Sequence, residues 1–222
     1  MPYSLRACSL LLVLVVLPFV GCTTDLQEPA NLSLQKQEIV RYVKSGAYDQ
    51  DLATVAGQAT TWIEQRVARR GPGERLAVVF DLDETLLLNW PQIRANDFGY
   101  VPKAWDEWVT ESAAPAIGPV REVYQLAVQN KVEVIFITGR PEYQRADTAE
   151  NLRKIGCEGY AELICSPNGR ESSAAAFKTA ARERLSAEGR VIIANLGDQW
   201  SDLMGGFAER TFKLPNPFYR TE

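Results

Sequence analysis

Histidine is absent from the 222 residues of the chain. This absence excludes Ser-His-Asp and Cys-His catalysis, phosphohistidine chemistry and zinc sites built on imidazole. A catalytic site must therefore use carboxylates, lysine, hydroxyl groups or a metal ion held by oxygen. An excess of basic residues is lacking too, since 24 Lys and Arg stand against 28 Asp and Glu, a formal net charge of -4. Nucleic-acid binding requires a basic surface, so we expect no nucleic-acid partner.

Cysteine is scarce, with four residues in the chain. A domain of this length buries about 70% of its unfolded surface and needs no disulfide framework. Two of the four, Cys8 and Cys22, belong to the N-terminal segment described next, which leaves Cys157 and Cys165. These two can pair only if their Cα atoms lie within about 7 Å. Two buried free thiols are the alternative, which we favour.

An uncharged apolar run from Leu10 to Val20 lies near the N-terminus. It is shorter than the roughly 20 residues that span a bilayer, so it predicts a secretory signal over residues 1–21. The run ends in Leu-Pro-Phe-Val-Gly-Cys at residues 17–22, which resembles the lipobox of bacterial lipoproteins. We therefore expect lipidation at Cys22 and an exported protein, anchored to the outer membrane or facing the periplasm. An ordinary signal peptide is the alternative, and a polar tether is expected over residues 22–33.

Apolar runs and helical patterns alternate along the rest of the chain. Strands are predicted at residues 76–80, 132–137, 162–165 and 191–196, and helices at 35–44, 48–70, 120–130, 142–155 and 174–188. Strands that alternate with helices indicate a parallel sheet covered on both faces. The expected fold class is therefore α/β, a doubly wound parallel sheet over residues 34–222. Residues 88–115 are predicted to form a small, mainly helical cap insertion.

Acidic residues follow two of the predicted strands. Asp81 and Asp83 come directly after the first strand, and alternation along an extended chain points both side chains the same way. Asp198 and Asp202 follow the last predicted strand. Ligands of such sheets bind beyond the carboxyl ends of the strands, so we expect both acidic pairs to share one cation. Oxygen ligands beside a phosphate suit Mg²⁺.

Two further features indicate a phosphoryl group between these acids. Thr138, Gly139 and Arg140 follow the strand at 132–137. We expect a helix to begin there, because helix N-termini bind phosphate through free N–H groups. Lys178, in the helix at 174–188, supplies a cation for the nucleophile and a phosphoryl oxygen. Each feature alone is commonly a turn, a cap or a solvated side chain, and only their combined order indicates a site.

These motifs resemble those of the haloacid-dehalogenase-like phosphatases, in particular the acid phosphatase group of plant vegetative storage proteins and bacterial class B and C acid phosphatases. The matching residues are FDLDETLL at 80–87 with Asn89, TGR at 138–140, Lys178, GDQWSDL at 197–203 and FKLPNP at 212–217. The resemblance covers about two thirds of the chain. It implies the same doubly wound core and a phosphoric monoester hydrolase.

The resemblance also implies roles for individual residues. Asp81 would attack phosphorus and form an aspartyl-phosphate, while Asp83 would protonate the leaving oxygen and later activate water. Thr138, Gly139 and Lys178 would hold the phosphoryl group. The implied ligands of Mg²⁺ are Asp81, the backbone carbonyl of Asp83, Asp198 and Asp202.

Aromatic residues are concentrated in the insertion. Trp90, Tyr100, Trp105 and Trp108 are candidate substrate-binding residues, accompanied by Phe98. Such rings can stack on a base or a phenyl leaving group, so a nucleoside monophosphate or an aryl phosphate is the expected substrate. A small core beneath the insertion is the alternative.

The combined expectation is an exported, Mg²⁺-dependent acid phosphatase. Turnover requires Asp81 ionised and Asp83 protonated, and no histidine titrates near neutrality, so activity should favour mildly acidic pH. Two alternatives stay open: a catalytically idle surface or storage-type binding protein, and a phosphotransferase that passes the phosphoryl group to an acceptor other than water.

Overall fold

The structure, a computed structural model, describes residues 28–221. The predicted signal peptide, Cys22 and the first half of the predicted tether, residues 22–27, lie outside the described residues. Helix α1 (Leu32–Lys44) begins three residues before its predicted start and includes the end of that tether. Among residues 28–221, no helix is both long and apolar enough to span a membrane.

A parallel sheet of five strands lies at the centre of the fold. The strands are β1 (Arg75–Phe80), β2 (Glu133–Pro141), β3 (Glu162–Ser166), β4 (Arg190–Gly197) and β5 (Thr211–Lys213). Their spatial order is β3-β2-β1-β4-β5, and every neighbouring pair is parallel. This topology confirms the predicted α/β fold class. The short edge strand β5 was not predicted.

Helices cover both faces of this sheet. Alternate residues of β1 enter different cores, because successive side chains of a strand point to opposite faces. Val78 and Phe80 belong to the larger core, which also holds residues of α2 (Ala47–Ala68) and α5 (Gly118–Gln129). Ala77 and Val79 belong to a smaller core with Ala181 and Leu185 of α7 (Ala174–Ala187). Burial on both faces explains why β1 is continuously apolar.

The predicted insertion consists of two short helices. These are α3 (Trp90–Ala95) and α4 (Pro102–Glu111), each with a proline in its first turn, where the missing N–H is not needed. After β2, a 3₁₀ helix (Glu142–Gln144) leads into α6 (Arg145–Lys154), and after β4 comes the single turn α8 (Trp200–Leu203). The helical character of the insertion matches its prediction.

The expected helix start after Ile137 is wrong. Strand β2 continues to Pro141, and Thr138 still pairs in register with Cys165 of β3.

The alternative favoured for the two remaining cysteines is confirmed, because Cys157 and Cys165 are buried free thiols. Burial raises the pKa of Cys157 to about 11, so this thiol stays protonated and unreactive at neutral pH.

Candidate active site

Three aspartates converge at the carboxyl edge of the sheet. Strands β1 and β4 are neighbours, and Phe80 pairs with Leu196, so the chain leaves both strands at the same level. Asp81, Asp198 and Asp202 each contribute a carboxylate oxygen, and these oxygens lie within 4.8 Å of one another. All three side chains are buried. We call these three residues the acidic cluster.

Asp202 reaches the cluster because the chain folds back onto β4 through α8. The backbone N–H of Gln199 donates to Asp202 Oδ2 at 2.8 Å, and Asn195 Nδ2 donates to the Asp202 carbonyl at 2.9 Å. Gly197 is required for this approach, since a Cβ at that position would lie 2.4 Å from the Cβ of Asp202. Glycine therefore leaves the space that the side chain of Asp202 fills.

Lys178 is the cation in contact with the acidic cluster. It extends from α7, and its Nζ lies 2.5 Å from Asp81 Oδ1 and 2.6 Å from Asp202 Oδ1. Burial lowers the pKa of Lys178, but the two aspartates raise it by more, so the ammonium group stays charged. Burial raises the pKa of Asp81 well above its usual range; Lys178 opposes this shift, whereas Asp202 and Asp198 add to it.

The charges of the acidic cluster do not balance. The ammonium group of Lys178 contacts two of the three carboxylates, so three acidic groups share one cation, which leaves an excess of two negative charges in a buried place when all three are ionised. Like charges at such separations destabilise one another unless a cation offsets them. A divalent ion carries the missing charge, and a set of carboxylate oxygens is the donor chemistry that hard divalent ions prefer. The acidic cluster therefore fits a divalent metal ion.

Asp198 is held in position by three donors. Asn216 Nδ2 and Gln199 Nε2 both donate to its Oδ2 at 2.6 Å, and Thr85 Oγ1 donates to its Oδ1 at 3.1 Å. Burial raises the pKa of Asp198, and Asp202 adds to this effect. Asn216 lies in the FKLPNP segment, so this late segment reaches the acidic cluster directly.

Asp83 is separate from the acidic cluster and is paired with Arg140. The guanidinium donates to Asp83 Oδ1 at 2.7 Å and, from Nε, to both carboxylate oxygens at 3.1 Å. Asn89 Nδ2 donates to Asp83 Oδ1 at 2.9 Å. Burial lowers the pKa of Arg140, but Asp83, together with Glu84 and Asp81, raises it by more. This pairing was not predicted, although the TGR sequence directly after the apolar run at residues 132–137 was the signal that could have revealed it.

A second buried carboxylate, Glu84, was also missed. It has a positive φ of 57° and accepts a hydrogen bond from the backbone N–H of Asn89 at 2.8 Å. The hydroxyl of Tyr219 also donates to it. Burial raises the pKa of Glu84 to about 8, and Asp83 adds to the shift. No local pattern links residues 84 and 219, so only the fold could reveal this contact.

The phosphate-binding candidates border the same region. Gly139 lines the cleft beside Asp81 and Lys178. The hydroxyl oxygen of buried Thr138 accepts the backbone N–H of Arg140 at 3.1 Å, which leaves the hydroxyl hydrogen free to donate. These donors lie at the end of a strand, so their position depends on β2 and not on a helix N-terminus.

The acidic cluster opens into a cleft of about 470 Å³. Its apolar walls come from the insertion and from the last residues described, namely Ile93, Phe98, Tyr100, Trp105, Phe218 and Tyr219. Of the four aromatic candidates, Tyr100 and Trp105 line the cleft. Trp90 instead packs against Phe218, with ring centroids 5.1 Å apart, and Trp108 donates its indole N–H to Asn89 Oδ1 at 2.8 Å. Trp90 and Trp108 therefore support the walls from behind.

Comparisons with known proteins agree with this geometry. Residues 25–222 match the family model described as HAD superfamily, subfamily IIIB (Acid phosphatase). Acid phosphatase 1 of Solanum lycopersicum is 34% identical over 212 residues, which cover 89% of this chain and 82% of that protein. The Stem 28 kDa glycoprotein of Glycine max is 36% identical over 185 residues, covering 80% and 71%.

A solved structure supports the fold independently. The Class C acid phosphatase from Bacillus anthracis has a TM-score of 0.70 at 21% identity, over 85% of this chain and 87% of that one. A parallel sheet with aspartates at its carboxyl edge is the architecture of the haloacid-dehalogenase-like enzymes. Within them, the chain belongs to subfamily IIIB, the acid phosphatases. It is a phosphoric monoester hydrolase, which confirms the resemblance and the enzyme class stated above.

Proposed function

We propose that Asp81 is the nucleophile of this acid phosphatase and that Asp83 is its general acid and base. In the first step an Asp81 carboxylate oxygen bonds to phosphorus, the bond to the leaving oxygen breaks, and Asp83 gives that oxygen a proton. In the second step Asp83 takes a proton from water, the water oxygen bonds to phosphorus, and the bond between phosphorus and the Asp81 oxygen breaks, which releases inorganic phosphate and restores the carboxylate. The supporting observation is that both carboxylates line the cleft while only Asp81 belongs to the acidic cluster.

Mg²⁺ is the divalent ion that we assign to the acidic cluster, with the backbone carbonyl of Asp83 as a further ligand. The support is the oxygen donor set and its excess of two negative charges. When bound, a divalent cation favours the ionised form of Asp81 and offsets the charge of the phosphoryl group. Lys178 acts in the same direction, because its ammonium group contacts the nucleophile directly.

The phosphoryl oxygens are assigned to Lys178, the N–H of Gly139 and the hydroxyl of Thr138. Preorganised donors of this kind stabilise the charge that develops on a transferring phosphoryl group. Lys178 is fixed by two ion pairs, and Thr138 is fixed by its place in β2. Rigid placement makes these donors effective, since little reorganisation is needed during the reaction.

Tyr100 and Trp105 are the rings that we assign to the leaving group. Their centroids lie 6.4 Å apart, and the Arg140 guanidinium lies 5.7 Å from the centre of Trp105. Trp105 is thereby held next to the residue that pairs with Asp83. A planar leaving group would stack there, so nucleoside monophosphates and aryl phosphates are the proposed substrates. Trp90 and Trp108 would act indirectly, by fixing α3 and α4.

The test is phosphate release from p-nitrophenyl phosphate and from a nucleoside monophosphate. Activity should disappear with EDTA, return with Mg²⁺ and be absent in Asp81→Asn. Rapid acid quenching should trap a phosphorylated chain in the wild type, and the matched Asp51→Asn variant, on the exposed face of α2, should behave like the wild type. A phosphorylated alcohol formed in added glycerol would favour the phosphotransferase. Absence of any metal-dependent turnover would favour the storage-type alternative.

We also propose that the protein is exported and carries a lipid on Cys22. The support is the apolar run followed by Leu-Pro-Phe-Val-Gly-Cys at residues 17–22. Expression in a bacterium with a radiolabelled fatty acid should label the wild type and not Cys22→Ser. Labelling of both variants would contradict lipidation at this residue, and a labelled Cys157→Ser serves as the matched control.

A further inference from the structure

The cleft contains two arginines that the proposed reaction does not use. Four of its lining residues are basic, and they face the four aspartates already described. Arg140 is paired with Asp83, and Lys178 is paired with Asp81 and Asp202. Arg170 and Arg220 are the other two. Within residues 28–221, neither makes an ion pair or a side-chain hydrogen bond.

Arg170 stands on a fixed loop at the carboxyl edge of the sheet. The loop joins β3 to α7, and it is fastened to the preceding connection because the Tyr143 N–H donates to Asn168 Oδ1 at 3.0 Å. The Arg170 N–H itself donates to the Pro167 carbonyl at 3.2 Å. Arg170 therefore borders the cleft at a defined place, beyond the strand that neighbours β2.

The same space is bordered by the first turn of α7. Ala174 lines the cleft and lies one turn before Lys178, on the same side of the helix. A molecule whose phosphoryl group lies against Asp81 and Lys178 can therefore extend past Ala174 towards Arg170. The volume of about 470 Å³ lies in the range of small-molecule sites and exceeds what one phosphate group requires.

The guanidinium of Arg170 is oriented but incompletely satisfied. It lies 5.5 Å from the centre of the Phe177 ring, which supports its plane. Its Nη1 is buried and has no acceptor among the described residues. Buried donors in folded proteins nearly always have an acceptor, so the guanidinium is left one acceptor short. Its Nε and Nη2 are not buried in this way, and they are the donors that a ligand in the cleft can reach. Arg220, by contrast, is exposed, and water satisfies its donors.

We propose that Arg170 binds a second anionic group of the substrate, so that the protein prefers phosphomonoesters carrying an additional phosphate or carboxylate. A guanidinium fork matches the oxygens of either group. The inference rests on the proposed function, since it requires the first phosphoryl group to lie at Asp81. The cleft then has two subsites: the acidic cluster, Lys178 and Gly139 for the phosphoryl group, and Arg170 for the second anion.

Two substrate pairs test this preference. Adenosine 5′-monophosphate is compared with adenosine 3′,5′-bisphosphate, and glycerol 3-phosphate with 3-phosphoglycerate, by phosphate release with Mg²⁺. The wild type should show a kcat/KM at least about tenfold higher for the second member of a pair, the usual strength of a charge-assisted hydrogen bond. A response in the nucleotide pair alone identifies a phosphate subsite, and a response in both pairs identifies a general anion subsite. Equal kcat/KM within both pairs overturns the proposal.

The Arg170→Gln variant locates the effect. Its kcat/KM for the doubly anionic substrates should fall about 10- to 100-fold, mainly through KM, while the singly anionic substrates change less than threefold. Arg170→Lys should recover part of the loss. Arg220→Gln removes the same charge from the exposed rim of the cleft, and Arg41→Gln removes it from the exposed surface of α1; both should leave the preference intact. Loss of the preference in either of these, or an equal loss for all substrates in Arg170→Gln, contradicts the assignment.

Phosphate release from the four substrates distinguishes a failure of the proposed function from a failure of this inference. If the wild type releases phosphate from none of the four substrates, the assignment of Asp81 fails and the second subsite fails with it. If the wild type hydrolyses the singly anionic substrates without any preference, only the second subsite is excluded. Should Arg170→Gln not fold, judged by its melting temperature, the wild-type comparison and Arg170→Lys still decide.

Discussion

The two ends of the central sheet carry networks of charged side chains that differ in charge balance and in burial. At the amino end, three arginines face three glutamates at the starts of the strands and the end of α7, namely Arg75, Arg184, Arg190, Glu133, Glu162 and Glu188. We call this set the amino-end network. At the carboxyl end, the three aspartates of the acidic cluster face one lysine.

The difference lies in charge balance and burial. The amino-end network has equal numbers of each sign, and the side chains of its glutamates are 28–41% exposed. It needs nothing further from solution. The acidic cluster is buried and two charges short of balance, so it is completed only by a ligand of opposite charge. The functional end of the sheet is therefore distinguished by buried charges of one sign that lack enough partners of the other sign, and not by how many charges it holds.

The largest difference between the acidic cluster and the amino-end network is expected in their contribution to catalysis. Asp81→Asn removes the nucleophile and should lower kcat for p-nitrophenyl phosphate by about a thousandfold or more. Glu162→Gln removes an acid from the amino-end network and should change kcat less than twofold. Steady-state rates with Mg²⁺ measure both. Equal losses in the two variants would show that the two ends of the sheet do not differ in function.

The next contrast concerns stability. Lys178→Met leaves Asp81 and Asp202 buried without their cation and should lower the free energy of unfolding by about 3–5 kcal/mol. Arg184→Met breaks two partly exposed ion pairs, with Glu162 and Glu188, and should cost about 1 kcal/mol or less. Urea unfolding in EDTA measures both variants. Similar costs would mean that the acidic cluster is as well solvated as the amino-end network.

A smaller contrast is expected in the response to divalent ions. A ligand at a hundred times its dissociation constant stabilises a folded protein by about 2.7 kcal/mol, so Mg²⁺ should raise the melting temperature of the wild type. Asp198→Asn should abolish most of this rise, whereas Glu133→Gln should retain it. Ca²⁺ and Mn²⁺ in parallel would reveal whether the preference is for Mg²⁺. If Mg²⁺ raised the melting temperature of Asp198→Asn as much as that of the wild type, the ion would bind at a place other than the acidic cluster.

The smallest contrast is the response to acid. Burial raises the pKa of Glu133, but Arg190 and Arg75 lower it further, so the net shift is downward. The stabilising contribution of this group is complete above the unfolded pKa of about 4.3 and is lost as the pH falls through the lower folded value. Glu133→Gln should therefore be less stable than the wild type at pH 6, by about 1 kcal/mol or less, with the gap narrowing below pH 4. If the stability difference between the two proteins instead grew below pH 4, the pKa of Glu133 would be raised in the folded protein rather than lowered.

The sequence predicted what local patterns determine. The apolar runs of β1 to β4 and the spacing of α7 depend on neighbouring residues, so the strand ends that carry Asp81 and Asp198, and the helix that carries Lys178, were found directly. The three-residue strand β5 has too few residues for a period. The extension of β2 to Pro141 follows from pairing with β3, which no local pattern records.

The pairings within the site were harder to predict. Arg140 contacts Asp83 across 57 residues, and Tyr219 contacts Glu84 across 135. Residue types at the strand ends indicated the chemistry, but the partner of each side chain depends on strand order. The same holds for the aromatic candidates. Tyr100 and Trp105 line the cleft, whereas Trp90 and Trp108 do not. This difference depends on the orientation of α3 and α4, which the sequence does not reveal.

The fold-back at Gly197 has a consequence for protein engineering. The turn that carries Asp198 and Asp202 is fastened within itself by the Gln199 N–H, and the missing side chain of Gly197 provides its room. Grafted onto the end of another parallel strand, the turn should carry Asp202 in a preset position, whereas Asp198 would lose the donors that Thr85 and Asn216 supply from outside the turn. Asp81 offers no such module, because its hydrogen bonds come from separate elements: its N–H donates to the Leu196 carbonyl of β4, and Lys178 of α7 donates to its carboxylate.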